Sequence, residues 1–549
     1  MSDNNTERKP YSYHTFIFPF IWGKNHKVIW DKNHKETKRK EFEKCLNLKL
    51  WERERKLTKN NDADTLIENY NTYHYFNSAA RNALYDDDDN NTVVWCYRFN
   101  IEKAWKNTDE NTDDWINNPK GSDNPAKYVI NCKHTKDGVI KSTTKQLNIN
   151  GIRLKLFNTG IGVLVFELEN YLYKELEEIN WLNEYGRRIY MPFLLTKNSC
   201  ELCAEEISIM FNGENITNGK TWKEIRDFTE TKLASPITYL LSNDTYKITT
   251  QRASTGKNNF FIEPIVDDRM FVACYYINKD FATKMAKQPT AEQPTAEQPT
   301  NEYRYLSDAS KDIKGSDNCA AAWYKTIFVD SGDISCYSKS LLKEKLQKHT
   351  YDRWIEKGSL TGISEYSLVT VTSSDWDALY RNFLTQYIEM MILVLAQRAS
   401  LLNFERMISY SAMGKYDICK IQDSYVKFQS QLLLKEVTPQ QQGIELYKML
   451  LDNLFIQEQA TEIEKQISAL STQKSSKSEN KENLILFILA ALSIFDVVNY
   501  LVDWICCEQI QWFELINLIV GGEVYHIKLI LSVVAIAAVI FAFHFYRRK

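Results

Sequence analysis

The sequence predicts an α+β (α/β-like) cytosolic domain, then a long helical stalk, and a C-terminal transmembrane hairpin of two helices. Short β-type runs alternate with helical spacing over residues 1–373. Residues 374–482 change to long stretches of helical periodicity, and two apolar segments follow at 484–505 and 527–546. Mixed strands and helices in this order are typical of α+β or α/β domains.

The strands of the first domain are predicted from runs of β-branched and aromatic residues, which favour extended structure. Residues 162–168 (GVLVFEL) give the strongest signal, with five apolar residues in seven positions. Pro19 lies within the run 15–22 and would place that strand at a sheet edge or a bulge. Residues 170–184 show helical spacing. The other predicted strands are 92–99, 127–132, 145–149, 151–157, 247–250, 268–276, 325–330 and 364–372.

A low-complexity insertion interrupts this domain at residues 288–301, where the unit AEQPT recurs. Its prolines Pro289, Pro294 and Pro299 follow one another too closely for a helix or an inner strand. We therefore predict a solvated insertion within the ligand-sensing domain.

The stalk is predicted from apolar residues at helical intervals. The run IEMMILVLA within its first helix is interrupted by Glu389 and is too short to cross a bilayer, so a buried helix is expected. Polar residues 471–480 would join the stalk to the membrane domain, residues 483–549. The predicted stalk helices are 376–402, 416–436 and 443–470.

The membrane hairpin is predicted from segment length and flanking charge. A helix rises about 1.5 Å per residue and must cross about 30 Å of hydrocarbon, which both apolar segments can do. Lysine and arginine flank the hairpin, whereas the loop 506–526 contains neither. The positive-inside rule then predicts a multi-pass protein with cytoplasmic N- and C-termini.

Four polar residues lie at helical intervals in the first apolar segment: Ser493, Asp496, Asn499 and Asp503. Their steps of three, three and four residues place them on one helical face. A carboxylate at membrane depth is costly and normally faces a bundle interior or water. In an oligomer these residues would line a pore whose acidic rings favour cations. The alternative is that Asp503 reaches the outer interface while Asp496 hydrogen-bonds a neighbouring helix.

Composition argues against several function classes. The 68 basic and 71 acidic residues give a net charge of −3, so no basic surface indicates direct nucleic-acid binding. The cysteines and histidines show no paired metal spacing, and we predict no metal site. Phosphate-loop, zinc-hydrolase and nucleophile-elbow motifs are absent from the sequence. We therefore predict no catalytic residue, no enzyme activity and no tightly bound cofactor.

A phosphate-bearing ligand is predicted to bind near two pairs of basic residues. One pair alternates with apolar residues just before the glycine turn at 158–162, and the other follows Gly186 after a helix. Arginine donates paired, charge-assisted hydrogen bonds to phosphate, and an aromatic ring could stack a purine. The alternative is ordinary surface charge and core aromatic packing. The candidate ligand-binding residues are Arg153, Lys155, Arg187, Arg188 and Trp22.

Three segments carry a family resemblance: 13–22 (YHTFIFPFIW), 160–170 (GIGVLVFELEN) and 183–193 (NEYGRRIYMPF). They are similar to the CorA-like membrane effectors associated with type III CRISPR systems. The order of cytosolic domain, long helices, two apolar segments and basic tail also resembles the CorA-like family. Magnesium transporters of that family carry Gly-Met-Asn after the first membrane helix, and this motif does not occur in the chain.

The resemblance implies an antiviral effector of the bacterial inner membrane. A nucleotide second messenger, in this family a conjugate of S-adenosylmethionine and AMP, would bind the cytosolic domain. A homo-oligomer, anywhere from a trimer to a pentamer, would then form a cation-type pore in the lipid bilayer and disrupt membrane integrity. Three alternatives stay open: a CorA-like divalent-cation (Mg) channel or transporter, a membrane-tethered enzyme, and a non-conducting interaction module.

Overall fold

The protein is described by a computed structural model. Two compact units are distinguished, one extending to Glu464 and one beginning at Lys465. The predicted insertion 288–301 and the second apolar segment 527–546 lie outside the described residues. The residues that the structure describes are 9–24, 27–28, 42–44, 46–54, 63–85, 92–106, 123–136, 139–188, 204–217, 233–242, 248–249, 260–287, 302–314, 317–330, 332, 334–373 and 377–507.

Fifteen strands within these residues form one mixed sheet in the first unit. They are β1 (Ser12–Lys24), β2 (Lys27–Val28), β3 (Trp51–Arg53), β4 (Val94–Phe99), β5 (Ala126–Lys136), β6 (Val139–Phe157), β7 (Ile161–Asn170), β8 (Glu206–Phe211), β9 (Glu214–Asn215), β10 (Ile248–Thr249), β11 (Phe260–Pro264), β12 (Phe271–Ile277), β13 (Thr350–Tyr351), β14 (Ser359–Ile363) and β15 (Ser367–Thr372).

The described helices lie between and after these strands. They are α1 (Ala63–Tyr75), α2 (Ser78–Tyr85), α3 (Ile101–Lys106), α4 (Leu176–Gly186), α5 (Ser235–Leu241), α6 (Lys279–Ala286), α7 (Arg304–Ser307), α8 (Cys319–Phe328), α9 (Lys339–His349), α10 (Asp377–Asn382), α11 (Ile388–Ala412), α12 (Ile418–Gln431), α13 (Gln441–Asn453) and α14 (Ile456–Cys507). Short 3₁₀ turns occupy Asp308–Ser310 and Ile355–Lys357, and a π-helical turn, Phe383–Tyr387, joins α10 to α11.

The main path through the sheet is β13-β14-β15-β12-β1-β7-β6-β5-β8-β9. Pairing is antiparallel except between β12 and β15 and between β10 and β11. Strand β1 pairs with β7 along one side, and on the other side with β12 as far as Ile17 and with β11 from Phe20. Pro19 falls in the interval between those two partners, where its missing N–H is not required. The predicted edge position of this proline is therefore wrong.

Strand β6 changes its register in the middle. The pairing of β6 with β7 shifts between Ile149 and Gly151, which marks a β-bulge. Leu147 and Ile149 enter the hydrophobic core before the bulge, and Ile152, Leu154 and Leu156 enter it after the bulge. The bulge therefore turns the odd-numbered side chains Arg153 and Lys155 away from that core. The separate strands predicted at 145–149 and 151–157 are one strand.

Both faces of the sheet are covered. One face carries the largest aromatic core, in which Phe16 of β1 and Phe166 of β7 pack with Ile179 and Leu182 of α4. On the other face Tyr275 of β12 lies with its ring centroid 5.4 Å from Phe383 in the π-helical turn. Helix α11 packs against β1 and β7 and also against α12 and α13. Helices α10 to α13 thus lie on the sheet in the first unit, so the predicted stalk at 374–482 is not a separate unit of the structure.

The predicted fold class, an α+β cytosolic domain with a stalk and a C-terminal two-helix transmembrane hairpin, is wrong. The described strands form one large mixed sheet, and within the part of the chain that the structure describes no helix has the length and apolar character to cross a membrane. Residues 484–505 belong to α14. This finding contradicts the predicted multi-pass inner-membrane location and the predicted ion channel.

The second unit is described only through α14, from Lys465 to Cys507. Several of its large apolar side chains are exposed in the single chain. They are Leu484, Ile485, Leu486, Ile488, Leu489, Val497 and Tyr500.

The strand predicted at 325–330 is also wrong, because these residues lie largely in helix α8. The Asn318 side chain accepts a hydrogen bond from Ala321 N–H and begins the helix upstream, and three alanines follow. The β-branched residues later in the segment remain helical until Val329, which adopts a left-handed conformation with φ of 52°. A good start signal therefore outweighs the local strand preference of the run.

A buried histidine ties β1 to α4. His14 is fully buried, its Nδ1 lies 2.7 Å from Asn183 Oδ1, and its Nε2 lies 2.8 Å from Ser12 Oγ. Burial lowers the pKa of His14 to about 4, although the contact with Asn183 opposes this shift. The folded state therefore favours the neutral ring, since in the unfolded chain the pKa is near 6.5.

This histidine predicts a loss of stability in acid. The contribution of the neutral His14 ring to the free energy of unfolding is complete above pH 6.5 and is lost as the pH falls towards 4. The total loss is on the order of 3 kcal/mol. In the His14→Gln variant, urea unfolding between pH 7 and pH 4.5 should show a smaller loss of unfolding free energy than in the wild type. Equal losses in both proteins would contradict this role for His14.

Candidate functional site

A cavity of about 270 Å³ lies on the face of the sheet that α11 covers. Strands β4, β6 and β7 form its floor, while α1, α2 and the junction of the π-helical turn with α11 form its walls. Its charged lining is evenly divided between three cations and three carboxylates. These are Arg98, Arg153, Lys155, Glu54, Glu167 and Glu389.

The sheet register brings the cations together. Arg98 on β4 lies directly opposite Arg153 on β6, and Lys155 lies opposite Cys96. Side chains two residues apart on a strand share a face, so Arg153 and Lys155 point to the same side. Gly151 makes room for this group, because a Cβ atom there would lie 2.6 Å from Glu167 Oε2.

Ion pairs organise the cations in the absence of ligand. Lys155 Nζ donates to Glu389, with 2.6 Å to Oε1 and a shorter contact to Oε2. Arg153 pairs with Glu167 through Nη2, and its Nη1 lies 3.4 Å from Glu389 Oε1. The Lys155 and Glu389 side chains are only 5% and 12% exposed. Burial acts to lower the pKa of Arg153, but Glu167 and Glu389 outweigh it and the pKa is raised.

Several polar atoms at the cavity keep hydrogen-bonding capacity. The Tyr85 hydroxyl and the Nε atoms of Arg98 and Arg153 are buried and have no hydrogen-bond partner among the described residues. Burial raises the pKa of Tyr85, and the nearby Glu389 carboxylate adds to this shift, so the hydroxyl stays protonated and can donate. Buried polar groups without partners are uncommon, and at a cavity they are expected to meet a ligand or water.

The structure separates the predicted ligand-binding residues into different environments. Arg153 and Lys155 line the cavity, whereas Arg187 and Arg188 do not. The Arg187 side chain is 1% exposed, donates to Glu184 at 3.0 Å and to the Val329 carbonyl at 3.2 Å, and its burial lowers its pKa to about 10. Arg188 also pairs with Glu184.

The two arginines belong to a charged cluster at the end of α4. The backbone of Arg188 forms an isolated antiparallel β-bridge with that of Arg269. The Arg269 Nε atom lies 3.0 Å from Asp267 Oδ2. Both Arg187 and Arg269 approach the ring of Tyr366, at 5.7 and 5.0 Å from its centroid. These contacts join α4 to the start of β12 and show a structural use for the arginine pair.

The predicted purine-stacking residue and the glycine turn are also used internally. Trp22 is 4% exposed and packs on Phe42 at 4.8 Å in the aromatic core, away from the cavity lining. In the turn after β6, Asn158 donates to Gln431 at 3.0 Å and the Thr159 hydroxyl lies 2.8 Å from that of Ser400. The turn therefore fixes helices α11 and α12 to the sheet.

The residues predicted to line a pore, Ser493, Asp496, Asn499 and Asp503, all lie in α14. The Ser493 hydroxyl donates to the Leu489 carbonyl at 3.0 Å, and Asp496 is exposed. A pore role for these residues required a membrane-crossing helix, which the described part of the chain does not contain.

Sequence reasoning missed Arg98, Tyr85 and the role of Glu389. Glu389 is a single carboxylate in an otherwise apolar run, and Arg98 is a single cation in a predicted strand. A charge that is buried by its neighbours requires a partner, so Glu389 could have been identified as half of an ion pair. Tyr85 ends α2 and carries no comparable signal.

No match for this chain is found among protein families, curated proteins or solved structures. Within the described ranges, no group of three or more histidine, cysteine, aspartate or glutamate side chains could hold a metal ion. The cavity therefore has to be interpreted from its own chemistry, which is that of a charged, partly buried binding site.

The buried pair of Lys155 and Glu389 should show strong energetic coupling. Lys155→Met removes the contact of Lys155 with Glu389 and keeps the longer contact of Arg153 with Glu389. Breaking a buried ion pair costs about 3–5 kcal/mol of unfolding free energy. The double variant Lys155→Met/Glu389→Gln should be destabilised by less than the sum of the two single variants, because no uncompensated charge remains. Urea unfolding of the four proteins measures this, and additive effects would contradict the pair.

Proposed function

We propose that this chain is a sensor of a nucleotide second messenger and that the cavity between the sheet and α11 is its binding site. The observation that carries the proposal is the convergence of Arg98, Arg153 and Lys155 on one cavity. Charge-assisted hydrogen bonds from arginine and lysine are the usual means of holding phosphate. The unpartnered Nε atoms of the two arginines and the Tyr85 hydroxyl supply further donors.

The size of the cavity agrees with a small ligand or with one end of a larger ligand. Ligand pockets usually enclose about 300–1,000 Å³, and this one has about 270 Å³. It would hold a phosphate with part of a nucleoside, and a conjugate would extend beyond it. Tyr85 is the aromatic residue of this lining, so it takes the place that the sequence assigned to Trp22.

The first candidate messenger is the S-adenosylmethionine–AMP conjugate that the family resemblance implies. It carries a phosphate together with positively charged groups, which suits a lining of three cations and three carboxylates. A role in type III CRISPR defence and assembly into a homo-oligomer stay predictions from the resemblance.

Binding to the purified full-length chain tests the proposal. Labelled S-adenosylmethionine–AMP should bind, and unlabelled ATP and cyclic oligoadenylates should compete poorly. Arg153→Ala removes a charge-assisted hydrogen bond worth about 1.5–3 kcal/mol, so the dissociation constant should rise at least about tenfold. Equilibrium dialysis or calorimetry measures both quantities.

Two further arginines act as controls. Arg353 is an exposed residue that pairs with Glu445 at 2.8 Å outside the cavity lining, and Arg353→Ala should leave the affinity unchanged. Arg188→Ala should also have little effect, since Arg188 lies in the other charged cluster. A loss of affinity in Arg188→Ala with none in Arg153→Ala would move the site to that cluster and reject the proposal.

A further inference from the structure

Resting on the proposed function, we propose that Glu389 is an autoinhibitory occupant of the anion subsite. Its carboxylate contacts both Lys155 and Arg153, which are the groups that an incoming phosphate would need. Binding then exchanges an internal anion for an external one. The carboxylate that is displaced belongs to a helix, so occupancy of the cavity is converted into a movement of α11.

The geometry makes Glu389 the replaceable partner. Arg153 has a second carboxylate, Glu167, which is on the adjacent strand β7 and belongs to the rigid sheet. Glu389 instead lies in the first turn of α11, directly after the π-helical turn. A ligand that competes for these cations therefore displaces the helix more readily than the sheet.

The π-helical turn is the point at which the backbone before α11 can change its conformation. In Phe383–Tyr387 the Ile388 N–H donates to the Phe383 carbonyl, a step of five residues instead of four. Such turns hold one extra residue and are frequent at functional sites, because the surplus residue can be shifted along the helix. Leu384 and Thr385 of this turn also line the cavity, so the π-helical turn forms part of the proposed ligand site.

Helix α11 leads from the cavity to the first turns of α14. Arg398 Nη1 lies 2.5 Å from Gln459 Oε1, and Gln459 Nε2 donates to Glu405 at 3.1 Å. A shift of α11 at Glu389 would therefore alter contacts at the beginning of α14, within the first unit. A ligand biases such a two-state element only through its different affinity for the two states.

Neutralising Glu389 tests the proposal directly. Glu389→Gln keeps the shape of the side chain but removes the competing charge, so AMP and the S-adenosylmethionine–AMP conjugate should each bind about tenfold more tightly. Hydrogen exchange of residues 383–395 should rise in the wild type when ligand is added. In the variant it should already be raised without ligand and should change little on binding.

Matched controls separate the switch from general loosening. Asp452→Asn changes an exposed carboxylate of the neighbouring helix α13 and should alter neither affinity nor exchange. Exchange of β12, which lies within the sheet, should be unchanged in all variants. If Glu389→Gln folds poorly, Glu389→Asp serves in its place. It keeps the charge on a shorter side chain, and its affinity for AMP and for the conjugate should be higher than that of the wild type.

The outcomes distinguish the two proposals. If neither AMP nor the conjugate binds to the wild type or to Glu389→Gln, the sensor function fails and the switch fails with it. If the wild type binds and Glu389→Gln binds equally or more weakly, with exchange of 383–395 unaltered by ligand, the sensor function stands and the switch is rejected. Tighter binding with the expected exchange pattern supports both.

Discussion

The β-bulge in β6 is the constraint on which the charged cavity depends. The aromatic core takes Leu147 and Ile149 from the strand before the bulge, and it takes Ile152, Leu154 and Leu156 after the bulge. Without this shift Arg153 and Lys155 would point into the aromatic core, where an uncompensated charge costs several kcal/mol. With it, they meet helix α11. The bulge thus allows one strand to contribute to the apolar core on both sides of the bulge and still place two cations on the opposite face.

The helix on that face is positioned partly by charge. Helix α11 is buried on nearly all sides over its first turns, so apolar packing alone would tolerate several rotations about its axis. A buried ion pair adds little net stability, but it penalises every arrangement that leaves one charge alone. Glu389 opposite Lys155 therefore selects one rotation and one axial position of α11 on the sheet. The hydrogen bond between Thr159 and Ser400 fixes the same helix three turns later.

Local patterns were sufficient for some elements and not for others. The apolar run in 162–168 predicts β7 correctly, because a strand that is buried on both faces appears in the sequence as a short continuous apolar run. The Asn-Gly pair between the two predicted strands of β6 resembles a turn, and only the pairing with the neighbouring strand shows that it is a bulge. Arg153 and Lys155 were identified as site residues, but their partner Glu389 is 234 residues from Lys155 in the chain. Arg187 and Trp22 offer the same residue types as a site, and only tertiary packing reveals that they lie away from the cavity.

The mixed lining of the cavity determines what kind of ligand gains most from it. Arg153 and Lys155 are paired internally, so the affinity for a ligand would be the difference between its new contacts and their old contacts with the carboxylates. A ligand with negative charge alone gains the cations but leaves Glu54, Glu167 and Glu389 facing one another with fewer partners. A ligand that also carries positive charge can supply those partners while its phosphate takes the cations. In the proposed binding site, this arrangement would therefore discriminate against simple anions such as ATP.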